Sequence, residues 1–457
     1  MNSAALADEL RVSLPAHLSG QRWYGAKHRG TPDVVIISID ELVPPWPAVI
    51  RVVIGCDDGP YQLVLGLRPS AETPSAMPAA AVVGTVTAGD DEALCFDAFA
   101  DEELALSLLR HIAPTETAAR ARPMGAEQSN TSIVYDERVV LKIFRRVASP
   151  NPEIEMIEAL AGVGFDRIAA PVAVWRDGDD DLALLQQFLA GGADGWTMAL
   201  ASARRADDAM NAEAAALGET TAALHAALAD AFGTAAGTAA AWADAAAVRV
   251  HAVDHPAIDH GAALAALDAA RHLDDAGAAI RIHGDYHLGQ VLRTATGWYV
   301  LDFVGEPTRP VDERRQGSSP LRDVAGMLRS FAYAAAAARP AGAPDDARAV
   351  EWERRNRDAF LAAYLGRLGG SGLLPTQPEA VRTLLDLFEL DKAVYEVGYE
   401  QGNRPEWVHI PVAGVHAVLA RRAPSCRPAG ASPPARTRPR PARAVPGTRS
   451  LAPPRAW

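Results

Sequence analysis

The stretch that most constrains this chain is Arg281–Pro307, RIHGDYHLGQVLRTATGWYVLDFVGEP. An apolar entry gives way to a polar loop, a short apolar run, a Gly turn, a second run at Trp298–Leu301 and another acidic loop. Short apolar runs bounded by turn residues read as buried strands, so the polar loops fall at strand ends. Asp285 and Gln290 stand five residues apart in the first loop, and Asp302 follows the second strand, seventeen residues after Asp285. A carboxylate, an amide and a second carboxylate at neighbouring strand ends meet the needs of phosphoryl transfer from a nucleotide. One group orients a hydroxyl, and two oxygen ligands hold Mg²⁺ on the phosphates. On this reading Asp285 is catalytic, Gln290 and Asp302 are the metal ligands, and ATP and Mg²⁺ are the cofactors. His287 is placed to contact the transferring group or the substrate, and His283 to brace the loop. The His283/His287 spacing suits zinc poorly, because a Gly and a loop setting separate the two rings.

In protein kinases the same parts come as an H-R-D-x-x-x-x-N loop and a D-F-G turn. His283-Gly284-Asp285 with Gln290 mirrors the first, and Asp302-Phe303 opens the second. The wording HGDYHLGQVLRT…GWYVLDF, followed by SPLRDVAGMLRSF, resembles the actinobacterial maltokinases and their close relatives, the glucosamine kinases, over nearly all of residues 15–415. The resemblance implies an α+β, bilobal, protein-kinase-like fold. It divides into an N-terminal cap subdomain (1–112), a β-containing N-lobe (113–190) and a mainly helical C-lobe (191–420). It implies ATP-dependent phosphorylation of a sugar: maltose to maltose 1-phosphate for α-glucan synthesis or, as the alternative, glucosamine to the 6-phosphate. It also brings in trehalose synthase as a protein partner. One departure stands out: the family carries Glu after the DF pair, where this chain has Val304, while Glu306 remains. If the missing carboxylate orders the metal site, activity is reduced, and a non-catalytic regulator that binds nucleotide or sugar becomes the rival reading.

Other segments supply the remaining parts. Val34–Ile39, Val49–Ile54 and Tyr61–Leu67 are β-branched runs separated by turn residues, including Asp57-Asp58-Gly59-Pro60, and suggest a small antiparallel sheet. Arg22, Trp23, Tyr24 and Lys27 read as an aromatic plug before that sheet more than as a ligand patch. Ile133–Tyr135 and Val139–Phe144 alternate around Asp136-Glu137 as a hairpin, with Lys142 in its second strand. VVLKIF resembles the kinase strand whose Lys reaches the phosphates. The preceding loop lacks a Gly-rich run, so phosphate contacts there fall to Ser129, Asn130, Thr131 or Ser132. Pro152–Gly162 is helical in pattern, and Glu155 is the expected partner of Lys142, with Glu153 and Glu158 as rivals. Leu182–Leu189 leads into Ala190-Gly191-Gly192, a strand running to a hinge, where Gln187 and Leu189 are the candidates for adenine contact.

Beyond Trp196 the chain is Ala-rich and helical, and His225 sits beside an apolar stripe, packed rather than reactive. Ser319 and Pro320 open a further helix in which Asp323 either supports the catalytic loop or stabilises the helix end. Residues 351–368 and 379–400 are amphipathic helices. At the end of the second, Tyr395, Glu396, Arg404 and Trp407 supply the aromatic faces, carboxylate and guanidinium that bind sugars.

Bulk properties exclude several classes. No stretch reaches the roughly 18 apolar residues of a membrane span, and Met1–Gly20 has no cationic start before an apolar core. Cys56, Cys95 and Cys426 lie far apart and form neither a metal pattern nor a disulfide framework, so a reducing cytoplasmic location is expected. The net charge is −13; residues 421–457 carry nine Arg and no acid, which leaves −22 on residues 1–420. Such an acidic body argues against nucleic acid as a partner. The Pro/Arg-rich segment 421–457 has no periodicity and is expected to be disordered.

Overall fold

The computed structural model describes residues 3–422 apart from 22, 26–29, 45, 57–58, 73–76, 89–90, 126–129, 149, 307–310 and 340–346. The 421–457 segment therefore lies almost wholly outside the described residues, as do Ser129, Arg22, Lys27 and the Asp57-Asp58 turn.

The chain opens with helix α1 (Ser3–Gly20) and strands β1 (Val35–Val43), β2 (Ala48–Cys56), β3 (Gly59–Pro69), β4 (Val82–Ala88) and β5 (Asp91–Asp97), closed by α2 (Glu102–Ile112). Leu6, Leu10, Leu14 and Leu18 recur every four residues on α1, so they share one face and are fully buried against the sheet. Trp23 and Tyr24 pack on Tyr61 with ring centroids 5.9 and 5.5 Å away, the plug expected from sequence. Asp101 caps α2 by accepting the Glu103 and Leu104 N–H groups, and its other oxygen pairs with Arg68.

Next come β6 (Ala121–Pro123), β7 (Asn130–Tyr135), β8 (Val139–Ala148), α3 (Pro152–Gly162), β9 (Pro171–Asp177) and β10 (Asp180–Gln187). The β7–β8 turn holds Asp136 and Glu137 at φ 48° and 54°. Two successive left-handed residues match the twist of a hairpin, and Asp, like Asn, visits that conformation more readily than most residues with a side chain. Strands β1–β10 form one ten-stranded sheet along the path β1-β2-β3-β8-β10-β9. The Tyr61↔Arg146 pairing of β3 with β8 joins the two parts, and α2 buries Leu104, Leu108 and Leu109 against side chains from both.

The remainder is helical around short strands: β11 (Ala193–Asp194), α4 (Gly195–Arg205), α5 (Ala209–Phe232), β12 (Ala235–Ala236), α6 (Ala239–Ala252), α7 (His260–Arg271), β13 (Ala278–Ala279), β14 (Val291–Thr294), β15 (Gly297–Val300), α8 (Val311–Arg314), α9 (Leu321–Ala337), α10 (Ala347–Leu368), α11 (Pro378–Asn403) and α12 (His409–Arg422). Helices α5 and α10 approach so closely at Gly218 that any Cβ there would overlap the Phe360 carbonyl. Glycine at this position exchanges helix propensity for contact. Helix α9 begins one residue later than Pro320 at N1 would require, and Ser319 Oγ accepts the Leu321 N–H. Among the described residues no helix is long and apolar enough to cross a membrane. The architecture is the expected kinase-like α+β fold, sheet-rich first and helical after, and the polar loops flanking β14 and β15 open at the junction.

Candidate active site

The loop between β13 and β14 carries no ladder of its own, so its backbone must be held from outside. Asp323, buried in the first turn of α9, accepts the His283 N–H at 2.8 Å and the Gly284 N–H at 2.9 Å. Burial works to raise the Asp323 pKa, but its hydrogen bonds outweigh that and hold it below the ordinary carboxylate range. His225 Nε2 lies 3.1 Å from the same carboxylate, and its Nδ1 lies 2.9 Å from the Tyr364 hydroxyl. His283 joins the two acidic loops: Nε2 meets the Leu301 carbonyl at 2.9 Å and the ring packs on Phe303, 5.0 Å between centroids. Asp323 and His283 thus both hold the backbone of these loops.

After β15 the chain turns sharply at Asp302, whose φ of 58° is in the left-handed region. For a residue with a Cβ this costs on the order of 1–2 kcal/mol, a local strain that the surrounding contacts must hold. Gln290 Nε2 donates to Asp302 Oδ2 at 3.2 Å, and Lys142 Nζ stands 3.7 Å from Asp302 Oδ1. Gln290, in the turn just before β14, Asp302, just after β15, and Lys142, in β8, therefore converge.

Lys142 does not pair with Glu155. Its partner is Glu153, at 2.6 and 2.8 Å to the two carboxylate oxygens. The reason is helical geometry. Glu153 sits in the first turn of α3, fixed by the Asn151 cap, and faces β8 with its side chain 2 % exposed. Glu155, two residues on, is rotated by about 200° and points to the C-lobe, where it meets Arg281 and Arg315, each at 3.2 Å. Glu158 pairs with Arg176.

Asp285 has a partner that the sequence reading missed. Lys392 Nζ, from α11, lies 3.2 Å from Asp285 Oδ1, while His287 Nε2 lies 3.8 Å from Oδ2. Burial works to raise the Asp285 pKa, but the Lys392 ammonium together with His287 and His283 outweighs it, and the carboxyl ionises below its ordinary value. Burial lowers the His287 pKa to about 4, against the pull of the Asp285 carboxylate, and His287 also feels Asp302. Lys392 itself is shifted upward: burial opposes its charge, but Asp285 and then Glu306 favour it more. A signal for Lys392 existed in the sequence. It interrupts the stripe Leu385, Phe388, Tyr395 at helical spacing, and a charge inside an apolar stripe needs a partner. Next to this pair lies a narrow cavity of about 20 Å³ lined by Gly284, Tyr286, Glu306, Asp391, Lys392 and Tyr395, among others.

The other expected sugar-binding residues are engaged elsewhere. Glu396 is buried and bonded to Arg329 at 2.8 and 3.0 Å. Arg404 grips Glu400 through two hydrogen bonds of 2.6 and 2.8 Å, and Tyr333 donates to the same Glu400. Trp407 stacks on Tyr333 and carries Arg404 over its ring at 4.8 Å. By residue type these three are expected sugar ligands; their partners in the fold make them an internal lock between α9, α11 and the Pro405–Trp407 turn. Of the expected set, Tyr395 and His287 stay near Asp285.

At the hinge, the Gln187 N–H donates to the Ala170 carbonyl at 2.8 Å, so that group is not available to a base. The Leu189 carbonyl accepts the Gly192 N–H at 3.3 Å. In the hairpin preceding Lys142, Thr131 Oγ1 is taken by Arg145, and Ser132 is buried.

Comparison with known proteins gives two family matches. Residues 119–355 match the phosphotransferase enzyme family, and residues 17–101 match the maltokinase N-terminal cap domain. A glucosamine kinase of Mycolicibacterium smegmatis is 29 % identical over 331 residues, 67 % of this chain and 81 % of that protein. A glucosamine kinase of Streptacidiphilus jiangxiensis is 30 % identical over 328 residues, 65 % of this chain and 73 % of that protein. A solved glucosamine kinase in complex with glucosamine, ADP and inorganic phosphate superposes with a TM-score of 0.61 at 24 % identity, covering 84 % of this chain and 94 % of that one.

Proposed function

The chain belongs to the phosphotransferase enzyme family, and from that footing we propose that it is an ATP-dependent kinase acting on a sugar hydroxyl, with glucosamine as the favoured acceptor. The observation that carries the reading is the convergence at Asp302: Lys142 and Gln290 both lie within 3.7 Å of it, and His287, 3.8 Å from Asp285, feels the charge of both carboxylates. Asp285 orients the acceptor hydroxyl and takes its proton. Lys142, held by Glu153, neutralises charge on the nucleotide phosphates.

Gln290 and Asp302 offer amide and carboxylate oxygens, the hard donors that suit Mg²⁺. Among the described residues no group of three or more His, Cys, Asp or Glu side chains is placed to hold a metal. Two protein ligands fit an ion that takes its other oxygens from phosphate and water. Bound there, the ion would offset the negative charge of the transferring group.

Glucosamine is favoured by the cavity beside Asp285. Its walls include Glu306, 4.0 Å from Arg322, and Asp391, whose carboxylate is held by Arg249, and its size suits one small polar substituent rather than a second sugar ring. The glucosamine kinases among the relatives point the same way. Maltose is the second reading, supported by the match of residues 17–101 to the maltokinase cap. The test is a panel of glucosamine, maltose, glucose and aminoglycosides, scored for ADP release and phosphorylated product. Glucosamine phosphate as the dominant product is expected. Stabilisation by Mg-ATP without ADP release from any sugar would point instead to a non-catalytic nucleotide-binding regulator.

A further inference from the structure

We propose that Lys392 is a catalytic residue of the transfer, its ammonium donating to the acceptor oxygen and to the arriving phosphoryl group beside Asp285. This rests on the sugar-kinase reading above.

Geometry comes first. Lys392 Nζ is 3.2 Å from Asp285 Oδ1, and the two side chains are each 22 % exposed, so the pair faces the cleft rather than being sealed in the core. The contrast is with Glu396 on the same helix and its partner Arg329 on α9, whose side chains are 5 % and 4 % exposed and shut away from the cleft. Lys392 also lines the cavity shared with Gly284 and Tyr286 of the catalytic loop, and the Tyr395 ring lies 5.0 Å from its ammonium. It therefore touches both the candidate base and the space next to it.

Charge distribution adds a second line. The nucleotide side of the cleft has Lys142 against Glu153 and Asp302. On the acceptor side, Arg322 stands 3.5 Å from Asp391 and 4.0 Å from Glu306. Lys392 is the cation set against Asp285 itself. In a loose phosphoryl-transfer transition state, negative charge spreads over the equatorial oxygens and the entering oxygen, and a preorganised cation there lowers the barrier.

The step balances without a further reactant beyond the nucleoside triphosphate. A lone pair of the acceptor hydroxyl forms the new bond to the γ-phosphorus. The bond from that phosphorus to the bridging oxygen breaks, and its electron pair leaves with ADP. The hydroxyl proton passes to Asp285 Oδ2 and from there to solvent. Lys392 keeps its protons throughout and acts by hydrogen bonding and charge.

The experiment compares wild type, K392M, K392R and the D285N/K392M double variant, with steady-state kinetics in ATP and sugar and with melting curves with and without Mg-ATP. K392M should lose about 10²–10³-fold in kcat, the range for removing one preorganised donor, while its melting temperature and its stabilisation by Mg-ATP stay at wild-type values. K392R should recover part of the loss, since its charge is kept but its shape is not. In the D285N background K392M should cost at least about a further tenfold, because two groups that both touch reacting atoms are not equivalent to one. Near-wild-type kcat in K392M overturns the proposal, as does a double variant no slower than D285N, which would leave Lys392 a positioning residue. If K392M fails to fold, K392R and the double variant carry the same decision. ADP release in the absence of sugar gives the same comparison with water as acceptor. A wild type that releases no ADP in either setting removes the sugar-kinase reading and this proposal together; an active wild type with an unimpaired K392M removes the proposal alone.

Discussion

Two acidic clusters flank α9, and they are built from the same residue types to opposite ends. In the loops around β14 and β15, Asp285 and Asp302 each have a lysine as their cationic neighbour, at 3.2 and 3.7 Å, and each stays partly exposed to the cleft. At the end of α11, Glu396 and Glu400 are gripped by Arg329 and by Arg404 and Tyr333 and are shut away from solvent. Lysine is a compact point charge that can reorient toward a ligand, whereas the guanidinium fork locks a carboxylate in two hydrogen bonds. The pairing partner, more than the carboxylate, separates a site that can work from a joint that holds.

The contrast breaks first at Asp285. D285N should lower kcat by about 10²–10⁴-fold, the range for loss of a general base, with melting temperature and Mg-ATP stabilisation preserved; wild-type product formation would remove Asp285 from the chemistry. E396A is the mirror experiment. It leaves Arg329 buried without its partner and should cost about 3–5 kcal/mol of stability, read by urea unfolding, with the sugar KM of the folded fraction unchanged. A raised sugar KM with intact stability would instead return Glu396 to the acceptor site.

A smaller effect separates the clusters by pH. His287 has its pKa lowered from 6.5 to about 4 by burial. Between those values the unfolded chain binds the proton and the folded chain does not, so stability rises with pH through this window and falls as the solution is acidified. The difference amounts to about 3 kcal/mol, and H287N should flatten that part of the profile. Smallest is the comparison within α3: E153Q should raise the ATP KM about tenfold, since a charged hydrogen bond is worth about 1.5–3 kcal/mol, and E155Q should leave it nearly unchanged. Equal effects would mean that Lys142 has no preferred partner.

Much of this was readable along the chain. The strip Arg281–Pro307 placed Asp285, Gln290 and Asp302 at the ends of two short strands, because polar residues next to short apolar runs have nowhere else to go. Helix α3 was legible to its boundaries from Pro152 and its helical pattern, while its Asn151 cap was seen only in the fold. The errors share one cause. Glu153 and Glu155 are indistinguishable by composition, and a rotation of about 200° between them sends one to Lys142 and the other to Arg281. Glu396, Arg404 and Trp407 have the chemistry of sugar ligands, and Lys392 looks like any helix lysine.

The sequence by itself determined which elements form and which loops bear the reactive groups, because periodicity and turn chemistry act over a few residues. Only the tertiary structure decided partners: that Lys392, 107 residues away, meets Asp285, and that Arg329, 67 residues away, closes over Glu396. An ionic side chain buried in the fold must find an opposite charge wherever packing brings one, and that neighbour is set by the arrangement of helices, not by adjacency along the chain.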